Sequence, residues 1–196
     1  MPQAVPVLDL FRSAGAYLEG HFRLTSGLHS SQYLQCALVL QYPHHAERLG
    51  CDLAKLLRPL VPGPIDVVAS PALGGLIIGH EVARALGARF IFTERDPATS
   101  KMTLRRGFTV TPRERAVVIE DVITTGGSTA DVIQTLAAAG ADIVGAGSIV
   151  DRSGGHADVG VPRVALTTLQ VEAWNPEECP LCQKGIPVVK PGSRPA

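Results

Sequence analysis

Two adjacent acids, Glu120 and Asp121, stand between an apolar run at 116–119 and the stretch Thr124-Thr125-Gly126-Gly127-Ser128-Thr129. Neighbouring carboxylates are costly to remove from water unless something pairs with them, and the vicinal hydroxyls of a sugar or a hydrated Mg²⁺ are natural partners. The stretch that follows suits an anion. Its hydroxyls and the free backbone N–H groups of a helix start can hold a phosphate, and the positive end of the helix dipole favours the charge. Gly126 and Gly127 let the backbone come close. With the linking residues Val122 and Ile123, residues 120–128 read as a site for a phosphorylated sugar. A strand, a turn and a helix cap would account for the threonines and glycines alone; the acid pair is what that simpler account leaves unexplained.

Two nucleotide motifs fail on residues. A Walker-type loop needs a lysine at its end, and no lysine occurs between Lys101 and Lys184. A dinucleotide fingerprint needs G-x-G-x-x-G, and this turn offers only Gly126-Gly127.

Three other places carry chemistry. Ser70-Pro71-Ala72-Leu73-Gly74-Gly75 joins an apolar run to an apolar helix, so its paired glycines again offer backbone donors to an anion, although glycine before a helix is common. Arg95, Lys101, Arg105 and Arg106 lie in a polar run with Asp96, Pro97, Thr99 and Ser100 that has little reason to pack tightly. Such cations on a closing loop would stabilise negative charge that develops in a reaction and exclude water; a solvated charged hairpin is the plain alternative. Arg152 follows Ile149-Val150-Asp151, and its guanidinium fork fits a planar carboxylate unless Asp151 simply holds it.

The elements that must position these groups alternate. Apolar, β-branched runs predict strands at 65–69, 89–92, 116–119, 143–150 and 164–170. Between them the spacing predicts helices at 76–86, stopped by Gly87, and 128–139, stopped by Gly140. Earlier, 5–20 and 43–60 have helical spacing, and 24–40 reads as irregular structure with short strands. This order implies an α/β fold, a parallel twisted sheet with helices on both faces. Ligands then collect at the carboxyl ends of the strands, where the acid pair and both glycine loops fall in one cleft.

A chain of 196 residues, 45% hydrophobic, can bury one α/β core, and a formal net charge of zero gives no reason to expect nucleic acid or membrane partners. Asp9 and Arg12 interrupt the apolar residues near the start, so a signal peptide is not expected, and a cytoplasmic setting follows. There the four cysteines should be reduced thiols, with Cys36 and Cys51 as core residues. Cys179 and Cys182 form one C-x-x-C, two ligands where a structural zinc site needs four, so unless a dimer pairs two such motifs it is a turn beside Pro180. No metal ligand is assigned. His21 and His29 are compatible with surface polar positions and receive no role.

The sequence Glu120-Asp121-Val122-Ile123-Thr124-Thr125-Gly126-Gly127-Ser128 resembles the phosphoribosyl-diphosphate signature of type I phosphoribosyltransferases, in the form used by orotate enzymes. Residues 21–30, His-Phe-Arg-Leu-Thr-Ser-Gly-Leu-His-Ser, are similar to the family's N-terminal hood, and 101–108, Lys-Met-Thr-Leu-Arg-Arg-Gly-Phe, resemble its mobile catalytic loop. The resemblance runs from about residue 10 to the tail. It implies a single domain over 1–196, with a helix and hood at about 1–40, a core at about 60–171 and a C-terminal tail at about 172–196, whose Pro-rich end from 187 reads as an extended surface segment. It implies transfer of ribose 5-phosphate from phosphoribosyl diphosphate to orotate in pyrimidine biosynthesis, with Mg²⁺ carried mainly by the diphosphate. By the same resemblance Glu120, Asp121 and Lys101 act in catalysis. Residues 120–128 with Arg95, Lys101 and Arg105 hold phosphoribosyl diphosphate. Thr124 and Arg152 meet orotate, with Thr25, Ser26 and Tyr33 closing the base pocket. The loop at 70–75 touches the diphosphate, often through a cis peptide near Ala72-Leu73. A homodimer that shares its lid is implied as well.

Three positions depart from the better-known orotate enzymes: Thr25 stands in place of a lysine, Leu73-Gly74 in place of a tyrosine-lysine pair, and Lys101-x-x-x-Arg105-Arg106 in place of a Lys-x-x-Lys-x-His lid. Two alternatives stay open, a transferase for uracil, hypoxanthine or adenine and a non-catalytic regulator that senses phosphoribosyl diphosphate.

Overall fold

Runs of Val, Ile and Ala buried on both faces build the centre of this chain, and the computed structural model shows how they are ordered over residues 6–24 and 27–191. The described residues form two compact units, one from residues 40–169 and a smaller one from residues up to 39 together with those from 170 onward.

In the larger unit the strands are β3 (Val67–Pro71), β4 (Arg89–Arg95), β5 (Met102–Leu104), β6 (Arg115–Ile123), β7 (Asp142–Asp151) and β8 (Arg163–Thr168). They lie in the order β5-β4-β3-β6-β7-β8, all parallel except β5, which returns antiparallel along β4. The helices are α3 (Pro43–Leu60), α4 (Gly75–Leu86) and α5 (Gly127–Ala138). Strand alternation sorts the two faces. Val67, Ala69, Ala116 and Val118 pack with Val132 and Leu136 of α5, whereas positions built on Gly75 and Gly147 would meet Ser70, Ile119 and Leu53 on the side of α4 and α3. A parallel sheet covered on both faces is the expected arrangement.

The smaller unit holds α1 (Val7–Ser13) and an antiparallel sheet in the order β1-β2-β9: β1 (Tyr17–Arg23), β2 (His29–Leu34) and β9 (Ala173–Trp174). A 3-10 turn (Pro176–Glu178) and the short helix α6 (Pro180–Gln183) follow β9. Helix α2 (Cys36–Leu40) ends at the boundary of the two units.

Several sequence expectations change. The helix expected over 5–20 stops at Ser13, because Gly15 takes a positive φ of 64° and the apolar residues beyond it belong to β1. The tail is exposed over 182–190, and two backbone bonds tie it to β1: Val189 N–H donates to His21 O at 2.8 Å, and Arg23 N–H to Val189 O at 2.9 Å. The lid segment is less polar in its packing than its composition suggests, since Met102 is buried and pairs with Arg95 across the β4–β5 hairpin. Strand β6 continues past the acid pair to Ile123, because ladder pairing is a backbone matter and Glu120, Val122 and Ile123 still pair with Ser148, Val150 and Asp151.

Candidate active site

The acid pair lies within the last turn of pairing of β6, and each carboxylate has a distinct environment. Thr129, on the first turn of α5, is buried and donates its hydroxyl to Glu120 Oε2 in a very short bond. Thr129 is therefore committed to Glu120, and its expected part as a phosphate donor is withdrawn. Burial pushes the Glu120 carboxyl up to about 7; the bond from Thr129 opposes that rise, the neighbouring Asp121 adds to it, and Arg95 opposes it. Asp121 is also pushed up by burial, against the bond its Oδ1 accepts from Val122 N–H at 2.9 Å. Among the described residues neither carboxylate has a cation within ion-pair distance. Two half-buried acids with no ion pair are poised for an external hydroxyl or cation.

The loop at 70–75 meets this pair. A Cβ placed on Gly74 would lie 2.7 Å from Asp121 Oδ1 and 2.8 Å from Oδ2, so the absence of a side chain at 74 is what gives the carboxylate its room. The peptide between Ala72 and Leu73 is cis, and Ala72 N–H donates to Thr93 O at 2.9 Å, tying the loop to β4. On the other side, Thr124 and Thr125 are exposed, and Gly126 adopts φ +84° immediately before α5. A side chain there would be strained and would press on Val159 at 2.8 Å. The first N–H groups of α5 have no intrahelical acceptor and face the end of the sheet where Gly127 and Ser128 stand. Arg152 leaves β7 alongside, its N–H donating to Ile123 O at 2.8 Å.

Asp151, the plain alternative as a partner for Arg152, is engaged elsewhere. Asp151 binds Arg163, with Nη1 to Oδ2 at 2.6 Å, and accepts from Ser153 Oγ at 2.6 Å. Burial alone would raise Asp151, but these bonds outweigh it and hold the carboxyl below its ordinary value. Arg163 stands opposite Ala146 in the β7–β8 ladder, and its side chain, which also donates to Ala157 O at 2.7 Å, reaches Asp151 across twelve positions of sequence that carry no local sign of the pairing.

The basic residues of the hairpin divide into two groups. Arg106 is held by Glu94 through two bonds of 2.9 and 2.8 Å, which keep Glu94 below its ordinary pKa. Arg95 reaches Asp131 of α5 at 3.1 Å and donates to Ser100 O at 2.6 Å. Lys101 and Arg105 are exposed and have no ion pair among the described residues. Of the base-pocket residues, Tyr33 lies in β2, 5.9 Å between ring centroids from Phe22, in the smaller unit. Thr25 and Ser26 lie outside the described residues.

Comparisons with known proteins agree with this geometry. The family model for the phosphoribosyl transferase domain matches residues 46–179. The orotate phosphoribosyltransferase of Heliobacterium modesticaldum is 56% identical over 188 residues, 96% of this chain and 97% of the relative. That of Pelotomaculum thermopropionicum is 52% identical over 188 residues, 96% of each chain. Among solved structures, the orotate phosphoribosyltransferase of Aeropyrum pernix superposes with a TM-score of 0.66 at 28% identity, covering 84% of this chain and 94% of that one. A parallel sheet, a half-buried acid pair against a glycine loop, and relatives alike over nearly the whole length place the chain in the orotate phosphoribosyltransferases of the phosphoribosyl transferase family.

Proposed function

We propose that residues 120–128 grip phosphoribosyl diphosphate and that the chain transfers its ribose 5-phosphate to orotate, giving orotidine 5′-phosphate and diphosphate in pyrimidine biosynthesis. The observation that carries this reading is the placement of Asp121 against Gly74, which joins the acid pair to a second anion-binding loop at one end of one sheet.

Glu120 and Asp121 accept hydroxyls of the ribose, and their negative charge favours the oxocarbenium character that develops at C1. The exposed hydroxyls of Thr124 and Thr125 and the half-buried one of Ser128, with the first N–H groups of α5, hold the 5′-phosphate. Orotate is already an anion, so its N1 attacks C1 with little activation while the C1–O bond breaks and diphosphate leaves with the electron pair. Positioning and charge stabilisation supply the rate. Lys101 and Arg105, uncommitted in the hairpin, meet the leaving diphosphate; Arg95 supports them from its place beside α5. Arg152 receives the orotate carboxylate and Thr124 the base.

Half-buried carboxylates that make no ion pair among the described residues would fit a hydrated Mg²⁺ entering with the diphosphate. Bound there, Mg²⁺ neutralises phosphate charge. A homodimer sharing the lid and a cytoplasmic setting belong to the same reading and rest on the family resemblance. Among the described residues no helix is long and apolar enough to cross a membrane.

Spectrophotometric assay of orotate with phosphoribosyl diphosphate, with and without Mg²⁺, tests the reading. Consumption of orotate that requires the metal is expected. Turnover of uracil with none of orotate would overturn the assignment.

A further inference from the structure

His21 and His29 are buried, against the surface position their polarity suggests, and they point at each other and at the two cysteines of the C-x-x-C. His21 Nε2 lies 2.9 Å from His29 Nδ1, 3.5 Å from Cys179 Sγ and 3.7 Å from Cys182 Sγ; Cys182 Sγ lies 3.3 Å from His29 Nδ1. All four ligating atoms fall within 4.8 Å of one another. From these distances we propose that the smaller unit carries a structural Zn²⁺ site with ligands His21 Nε2, His29 Nδ1, Cys179 Sγ and Cys182 Sγ.

The spacing matches a tetrahedron. With Zn–N near 2.0–2.1 Å and Zn–S near 2.3 Å, its edges are roughly 3.3 Å between nitrogens, 3.5 Å from nitrogen to sulfur and 3.8 Å between sulfurs. The four contacts of 2.9, 3.5, 3.7 and 3.3 Å scatter around these values, and the full set, which spans up to 4.8 Å, would draw in on binding. Two imidazoles and two thiolates are also the softness that Zn²⁺ selects, and four protein ligands make a closed site with no open position for chemistry.

The surrounding backbone prepares the ligands. His21 Nδ1–H donates to Ile186 O at 2.7 Å, which leaves Nε2 with its lone pair directed at the other three donors. A bulge in β1 between Glu19 and Phe22 falls at His21, and His29 sits opposite Arg23, so the two imidazoles are diagonal neighbours on one face of the hairpin. Cys179 opens α6, and its carbonyl accepts from Gln183 N–H at 3.1 Å; Cys182 O accepts from Gly185 N–H at 2.9 Å. This compact turn brings two sulfurs to one point. Cys179 is fully buried while Cys182 remains at the surface, and all four cysteines are free thiols.

The position explains what such an ion would do. His21 and Cys179 are 158 residues apart in sequence, and β9, which joins the two segments, has only two residues. A sheet that small buries little apolar area, and a metal is a common staple for it. The C-x-x-C lacked half a zinc site in the sequence because its other half stands in the N-terminal hairpin.

The test uses the full chain, purified under reducing conditions with Zn²⁺ in the medium and any polyhistidine tag removed. Elemental analysis should find about one zinc per chain, and Co²⁺-loaded protein should show tetrahedral d–d bands with thiolate-to-cobalt charge transfer. C182S, whose side chain is exposed, and H29A should each lower occupancy at least about tenfold, while C36S and C51S keep it. The cobalt spectrum of the unsubstituted protein stands even where a variant fails to fold. Less than a tenth of an equivalent of metal, a cobalt spectrum without sulfur ligation, or a Cys179–Cys182 disulfide in the purified chain would each overturn the proposal.

Discussion

The carboxylate of Asp121 occupies the space that a side chain on residue 74 would need, with both oxygens within 2.8 Å of where a Cβ on Gly74 would sit. The backbone at 74 is right-handed helical, φ −56° and ψ −42°, so alanine is tolerated there in conformation and opposed only by the carboxylate. Gly74→Ala should therefore leave the melting temperature within a few degrees of the parent while lowering kcat/KM at least about tenfold, some 1.4 kcal/mol. Thermal melts and steady-state kinetics on one preparation check it; unchanged kinetics would mean that Asp121 does not need its present place.

Glu120 makes stability depend on pH. Its carboxyl is raised from 4.5 to about 7, so between those values the folded chain holds a proton that the unfolded chain has released. Stability from this group is complete below pH 4.5 and is lost as pH rises through about 7. The upper bound is ~3.5 kcal/mol, at about 1.36 kcal/mol per pKa unit, and solvent screening of this half-buried group lowers it. Urea unfolding of unliganded protein at several pH values should show this decline, and Glu120→Gln should flatten it. An identical slope in the variant would assign the proton elsewhere.

Thr129→Val removes a hydroxyl that favours the ionised form of Glu120. Glu120 should then titrate higher, and the acid limb of the kcat/KM profile should move to higher pH, with activity recovered on the alkaline side. A uniform loss at every pH would mark Thr129 as a packing residue only.

Lys101→Ala should reduce kcat more than it weakens ground-state binding of phosphoribosyl diphosphate, because the charge it meets grows as the diphosphate departs. Arg106→Ala is the contrast. Its side chain is already spent on Glu94, so its loss should loosen the hairpin with a smaller effect on kcat. Equal effects on binding and kcat for Lys101→Ala would describe a uniform contact.

Arg152→Ala should raise the Kd for orotate while binding of phosphoribosyl diphosphate persists, measured by calorimetry with each ligand separately. The reverse pattern would reassign its partner.

Legibility from the sequence followed the range of the interactions. The core strands and the helices α3, α4 and α5 are long, periodic segments whose signal is local, and Glu120 and Asp121 announce themselves by standing next to each other at the end of an apolar run. Thr129 was visible as a hydroxyl but not as the partner of Glu120, because nine positions separate them and only the turn into α5 brings them together. Met102, among charged neighbours, gave no sign that it faces the core; β5 became a strand by pairing with β4. The helix expected over 5–20 came from apolar spacing that is shared between α1 and the start of β1, with Gly15 the one local sign of the break. His21 and His29 were misread for the opposite reason: what buries them arrives from the far end of the chain.

That distance has a bearing on synthesis. A ribosome releases the β1–β2 hairpin while β9 and Cys179 are still untranslated, and at about 5–20 residues per second the wait is roughly ten to thirty seconds. The larger unit, contiguous from 40 to 169, can fold in that interval. The smaller one is completed later, so a nascent chain carries an open strand edge on β2 until β9 is made.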